Sequence, residues 1–173
     1  LMPRVHVCSL ARIDETAHAI GARSMVTLIN VGTPVARPAC IAPARHLLMA
    51  LPDLEHPLDG HIAPDVAHVE TLLSFVRAWD RQEPLLIHCW AGVSRSTAAA
   101  FVTACALNPS RVEEEIACAI RQASPTATPN PRFVAIADDM LGRGGRMIAA
   151  VSAIGRGEDC FEGTPFALPL HTP

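Results

Sequence analysis

The sequence predicts an α/β domain: a central, mostly parallel sheet of four to five strands flanked by helices. Three observations predict it. Strand and helix patterns alternate along the first half of the chain, and "SMVTLINV" and "PLLIH" are unbroken apolar runs, the pattern of strands buried on both faces. The length of 173 residues suits one core and is short for two full-sized domains with a linker. With 50% apolar and 18% charged residues there is ample material to bury, which excludes a disordered chain.

Taken in order, "RVHVCSL" alternates and is rich in Val, as an early strand is, and "ARIDETAHAIGA" reads as a helix closed by Gly21. "SMVTLINV" is the second strand, and a proline-rich connection over 33–43 leads to a third, "RHLLMAL". The stretch 51–64, "LPDLEHPLDGHIAP", mixes proline, glycine and acidic residues and predicts a long surface loop of the kind that carries function. Helix returns over 65–79, where Val66, Val69, Leu72, Leu73 and Val76 keep a 3.6-residue stripe, and Asp65 stands where an N-cap belongs. "PLLIH" is the next strand, "STAAAFVTACAL" a helix ended by Asn108 and Pro109, and Ser110 with Glu113 gives a capping-box pattern for a helix through Gln122. Asn130 and Pro131 start another helix that ends near Gly142, and 147–154 forms a short last one. Residues 1–155 are thus expected to form the domain. Residues 156–173, with their glycines and prolines, read as a C-terminal extension or extended tail.

Composition narrows the function. Net charge is −3 and every basic residue is an arginine, none gathered into a basic stripe, so nucleic acid is not the expected partner. The absence of Tyr and Lys beside abundant Ala, Arg and Pro is that of a GC-rich, bacterial coding sequence. Neither a secretory leader nor a run of about eighteen apolar residues is present, so a cytoplasmic protein without membrane attachment is expected. The six cysteines are scattered with no C-x-x-C pair, which argues against a zinc site or redox pair. His56, His61 and His68 show no ligand spacing and read as a solvated loop and helix face, so no metal or other cofactor is expected.

The chemistry lies after "PLLIH". The segment "CWAGVSRST" joins a buried strand end to a helix start, so its amides and the helix dipole converge on an anion site. Trp90, Ala91, Gly92, Val93, Ser94 and Arg95 are the expected phosphate-binding residues, with Gly92 allowing the tight curl. Cys89 at the head of that loop is the expected nucleophile, its thiolate stabilised by the same amides. His88 holds local hydrogen bonds. Arg95 offers a planar fork that grips two phosphoryl oxygens, and Ser96 is placed to hydrogen-bond the sulfur as it leaves.

"HCWAGVSRST" resembles the signature of the protein tyrosine phosphatases: His-Cys, five residues, then Arg and Ser or Thr. Its His-Cys-x-x-Gly-x-Ser-Arg-Ser form is similar to the dual-specificity subgroup. The likeness extends to "SMVTLINV", to "RHLLMALPD" before the acid loop, and to "IRQASPTATPNPRFVAIADDML", covering about 5–141. It implies the cysteine-phosphatase fold and phosphomonoester hydrolysis through a phosphocysteine, on phosphotyrosine or also phosphoserine and phosphothreonine of a protein substrate. The same loop would serve a small phosphate ester, an RNA 5′-phosphate, a phosphoinositide or an inositol phosphate, or a chain that binds phosphate without turning it over.

The resemblance also implies a mobile-loop acid that protonates the leaving oxygen. "Leu-Pro-Asp" resembles the Trp-Pro-Asp of tyrosine-specific members and favours Asp53. Asp59, closer to the spacing of dual-specificity members, is the alternative, and Asp65 is the helix cap. Trp90 either packs beside the pocket or stacks on a substrate ring. Glu113, Glu114 and Glu115 are read as helix N-terminal charge. Cys105 and Cys118 are read as core thiols, either of which could trap an oxidised Cys89.

Overall fold

The computed structural model describes residues 3–56 and 63–170. Asp59 and His61 lie outside the described residues. Strands β1 (Arg4–Cys8), β2 (Ser24–Ile29), β3 (His46–Ala50), β4 (Leu85–His88) and β5 (Phe166–Pro169) form one sheet in the order β3-β2-β4-β1-β5. The first four run parallel, and β5 runs antiparallel to β1. β4 is therefore central, registered Cys8↔His88 with β1 and Thr27↔His88 with β2.

Six helices accompany the sheet: α1 (Ile13–Ile20), α2 (Val66–Ala78), α3 (Arg95–Leu107), α4 (Glu113–Ala123), α5 (Pro131–Met140) and α6 (Arg146–Ile154). Strand alternation divides the core between the two faces. Cys8, Met25 and Leu86 meet Ile13 and Ala17 of α1 on one face. Val5, Val7, Val26, Leu28, Leu85 and Ile87 meet the other helices opposite. α3 is the centre of that larger cluster. Every residue from Arg95 to Cys105 is buried, and Ala98, Ala99 and Ala100 keep the helix slim enough to lie against the sheet while other helices enclose it.

Helix starts follow the expected side chains at two places. Asp65 Oδ1 accepts from the Ala67 N–H at 2.9 Å, and the Asn130 side chain accepts from the Phe133 N–H at 3.0 Å. The third does not. α4 begins at Glu113 behind Val112, Ser110 makes no cap, and Glu113 is 5% exposed. Its carboxylate takes Arg143 Nη1 at 2.9 Å and Arg146 Nε at 3.2 Å, so the reading of Glu113 as mere N-terminal charge is corrected. Burial pushes that carboxyl up, yet the Arg143 and Arg146 guanidiniums and a backbone hydrogen bond outweigh it and hold it below the usual value.

The reading of 156–173 as a tail is also corrected, because its Phe166–Pro169 is a strand of the sheet. Phe166, Leu168 and Leu170 are buried, and Leu170 N–H donates to Pro3 C=O at 3.2 Å. Pro169 has no amide to give, which an edge strand tolerates. Among the described residues no helix is long and apolar enough to cross a membrane.

Candidate active site

The loop from Cys89 to Ser94 leaves the carboxyl end of the central strand and enters α3, the position where open α/β sheets hold ligands. Distant segments turn four of its carbonyls outward. Trp90 C=O accepts from Leu10 N–H at 3.0 Å, Ala91 C=O from Gly163 N–H at 2.8 Å, Val93 C=O from Thr128 N–H at 2.9 Å, and Ser94 C=O from Asn130 N–H at 3.2 Å. In a planar trans peptide the next N–H points opposite to each carbonyl, so the amides of Ala91, Gly92, Ser94 and Arg95 face the inside of the loop. The Gly92 N–H bears this out by donating to Cys89 Sγ at 3.3 Å.

Gly92 has no substitute here. Its φ is +72°, and a Cβ would sit 2.9 Å from the Cys8 carbonyl carbon. The close approach of β1 behind the loop thus fixes both the curl and the residue that makes it.

Cys89 is 2% exposed, at the base of this cup. Besides the Gly92 amide, Ser96 Oγ lies 3.0 Å from its sulfur, the contact expected of a hydroxyl that assists a leaving thiolate. Arg95, 7% exposed, is held among the described residues through Nη1, which donates to Asn30 Oδ1 and to Leu51 C=O at 2.9 Å. Among the described residues its buried Nε has no partner, although it belongs to the edge of the guanidinium that pairs with oxyanions two at a time. A phosphoryl group in the cup would satisfy it. α3 also starts without a side-chain cap, since Ser94 Oγ is turned to Asp53, which leaves the first helical amides to an anion.

His88 is fully buried behind the cup. Its Nδ1 is 3.0 Å from Cys89 C=O, and a carbonyl only accepts, so Nδ1 carries the proton. Nε2 is then the acceptor for the Thr27 hydroxyl at 2.7 Å, and that hydroxyl in turn accepts from His46 Nε2 at 2.7 Å. Burial drives the His88 pKa down to about 4, aided by His46 and Arg95 and opposed by the bond to Cys89 C=O, so the ring is neutral at pH 7.

Of the three candidate acids, the two that the structure describes separate cleanly. Asp65 caps α2. Asp53 reaches the loop, its Oδ1 accepting from Ser94 Oγ at 2.7 Å and from Asn130 Nδ2 at 2.8 Å. Trp90 is 45% exposed and packs edge-to-face on Phe161. Cys105 lies inside α3 with burial pushing its pKa up to about 12, whereas the reading of Cys118 as a core thiol is corrected, because its side of α4 is exposed.

Sequence reading found the residues of the loop and missed those that hold them. Asn30, Thr27, His46 and Asn130 are brought in by the fold, and only Asn30 and Asn130 had a local signal, at a strand end and before a proline.

No family model and no curated protein matches the sequence. Solved structures do. Human DUSP28 superposes with a TM-score of 0.60 at 18% identity, over 86% of this chain and 94% of that one. DUSP15 gives 0.64 at 17% identity over 88% and 91%, and PTPMT1 in complex with PI(5)P gives 0.61 at 14% over 86% and 92%. The α/β chain described here therefore has the fold of the dual-specificity phosphatases of the protein tyrosine phosphatase superfamily.

Proposed function

We propose that this protein hydrolyses phosphomonoesters through a phosphocysteine intermediate, acting on phosphotyrosine, or on phosphotyrosine together with phosphoserine and phosphothreonine, in proteins. The observation that carries the reading is the convergence of inward amides, the unpartnered Nε edge of Arg95 and the Cys89 sulfur within one loop.

The steps follow from the contacts. A dianionic phosphoryl group enters the cup, with two oxygens on the Nε and Nη2 edge of Arg95 and the others on loop amides. The Cys89 thiolate attacks phosphorus, the P–O bond to the ester breaks, and Asp53 gives its proton to the departing oxygen. Water then attacks the phosphocysteine and passes a proton to Asp53. The S–P bond breaks, and the Ser96 hydroxyl donates to the released thiolate. His88 acts as a positioning residue, fixing the Cys89 carbonyl and so the plane of the first loop peptide.

The test is a pair of substitutions. Cys89→Ser abolishes turnover of p-nitrophenyl phosphate while vanadate still binds, and hydrolysis surviving that change removes Cys89 from its role. Asp53→Asn lowers kcat by about 10²-fold and takes away the basic limb of the pH profile, in keeping with loss of a general acid. An unchanged profile would give the acid role to another carboxyl, Asp59 first.

A further inference from the structure

Beside the cup lies an apolar cleft that the reaction above leaves unused. Leu10, Ala11, Trp90, Phe161 and Glu162 line it, and it measures about 170 Å³. Apolar cavities of roughly 150 Å³ take up one benzene ring, so the cleft has room for one aromatic or branched side chain. Trp90 and Phe161 meet at 5.1 Å between ring centroids and 88° between planes, and Phe161 is 80% exposed.

The aromatic wall is anchored. Gly163 N–H donates to Ala91 C=O, the Ser9 hydroxyl donates to Glu162, and a Cβ on Gly163 would come within 3.1 Å of the Gly92 carbonyl oxygen. Phe161 therefore stands two residues from a point fixed on the phosphate loop. Trp90 follows Cys89 directly, so the cleft adjoins the same loop that forms the cup.

Three occupants can be weighed. A second copy of the chain would need on the order of 1,200 Å² of contact, far more than this cleft offers. An anionic lipid surface would meet Glu158, Asp159 and Glu162 on the same segment, with Arg12 already paired to Glu15 and Arg156 to Asp159. A neutral apolar side chain meets neither obstacle.

We infer that the cleft between Trp90 and Phe161 seats an apolar side chain next to the phosphorylated residue of a peptide substrate, which makes Phe161 a specificity-determining residue. The inference rests on the proposed phosphatase reading and adds where the rest of the substrate lies. Two phosphotyrosine peptides, identical except for Phe or Gly beside the phosphotyrosine, test it. Wild type prefers the Phe peptide about fivefold in kcat/KM, the scale of one aromatic contact. Phe161→Ala removes the preference and leaves the Gly peptide and p-nitrophenyl phosphate unchanged. Equal rates on both peptides in wild type, or an equal loss on all three substrates in the variant, overturns the inference. So does a loss confined to phosphoinositide vesicles, which would give the cleft to a membrane. Titrating the same peptides into Cys89→Ser separates the two readings. A fivefold binding preference there, with no turnover by the wild type, would support the cleft while removing the enzyme.

Discussion

Asp53 uses its two carboxylate oxygens differently: the hydrogen bonds found for it among the described residues all fall on Oδ1, from Ser94 and Asn130, which leaves Oδ2 for the acid role proposed above. His88 offers the sharper test at this scale. Its folded pKa of about 4 lies below the ordinary 6.5, so the unfolded chain binds the proton first as pH falls. Its contribution is neutral above about pH 6.5 and becomes destabilising between there and pH 4, reaching on the order of 3 kcal/mol. Burial lowers the pKa of His6 and His46 as well, which adds to the same slope. Urea unfolding of His88→Gln across this window should show a shallower loss of stability than wild type; an equal slope would mean that His88 is not the group responsible. Cys89, Arg95 and Ser96 were legible in the sequence because one short run holds them. Thr27 and His46 were not, since their tie to His88 exists only after β2, β3 and β4 are laid side by side.

At the scale of elements, most helices and strands announced themselves through periodicity, and α4 was expected too, but its start was misread. Ser110 and Glu113 have the spacing of a capping box, but Glu113 is drawn inward to Arg143, whose other nitrogen donates to Cys105 C=O at 2.7 Å. An ion pair with both partners 7% exposed outweighs a surface cap, and no local pattern reveals a partner thirty residues away. Glu113→Ala leaves the buried Arg143 guanidinium, which is bonded to the Cys105 carbonyl of α3, without its carboxylate. It should cost about 3 kcal/mol, read as a lower urea midpoint with an unchanged slope. A loss below about 0.5 kcal/mol would show that solvent reaches Arg143 instead.

Across the whole molecule the parallel sheet was predictable from its buried apolar runs, whereas β5 was not. Four residues ending in proline carry almost no strand signal, and their partner β1 sits at the other end of the chain. The consequence for stability is large. A chain stopped at Arg156 loses the burial of Phe166, Leu168 and Leu170, on the order of 6 kcal/mol, against a typical total of about 5 to 15. It should lose its circular-dichroism melting transition and elute as aggregates, because the edge of β1 is then open to other chains. A sharp transition in that shortened protein would show that the sheet stands without its fifth strand. The outward carbonyls of the phosphate loop carry this further. They are fastened by a residue after β1, by two residues ahead of α5 and by Gly163, so the oxyanion cradle takes shape only when segments from the beginning, the late middle and the end of the polypeptide have met. During refolding, the proposed phosphatase activity should return after far-ultraviolet ellipticity, and its assay then becomes the most demanding report of complete folding.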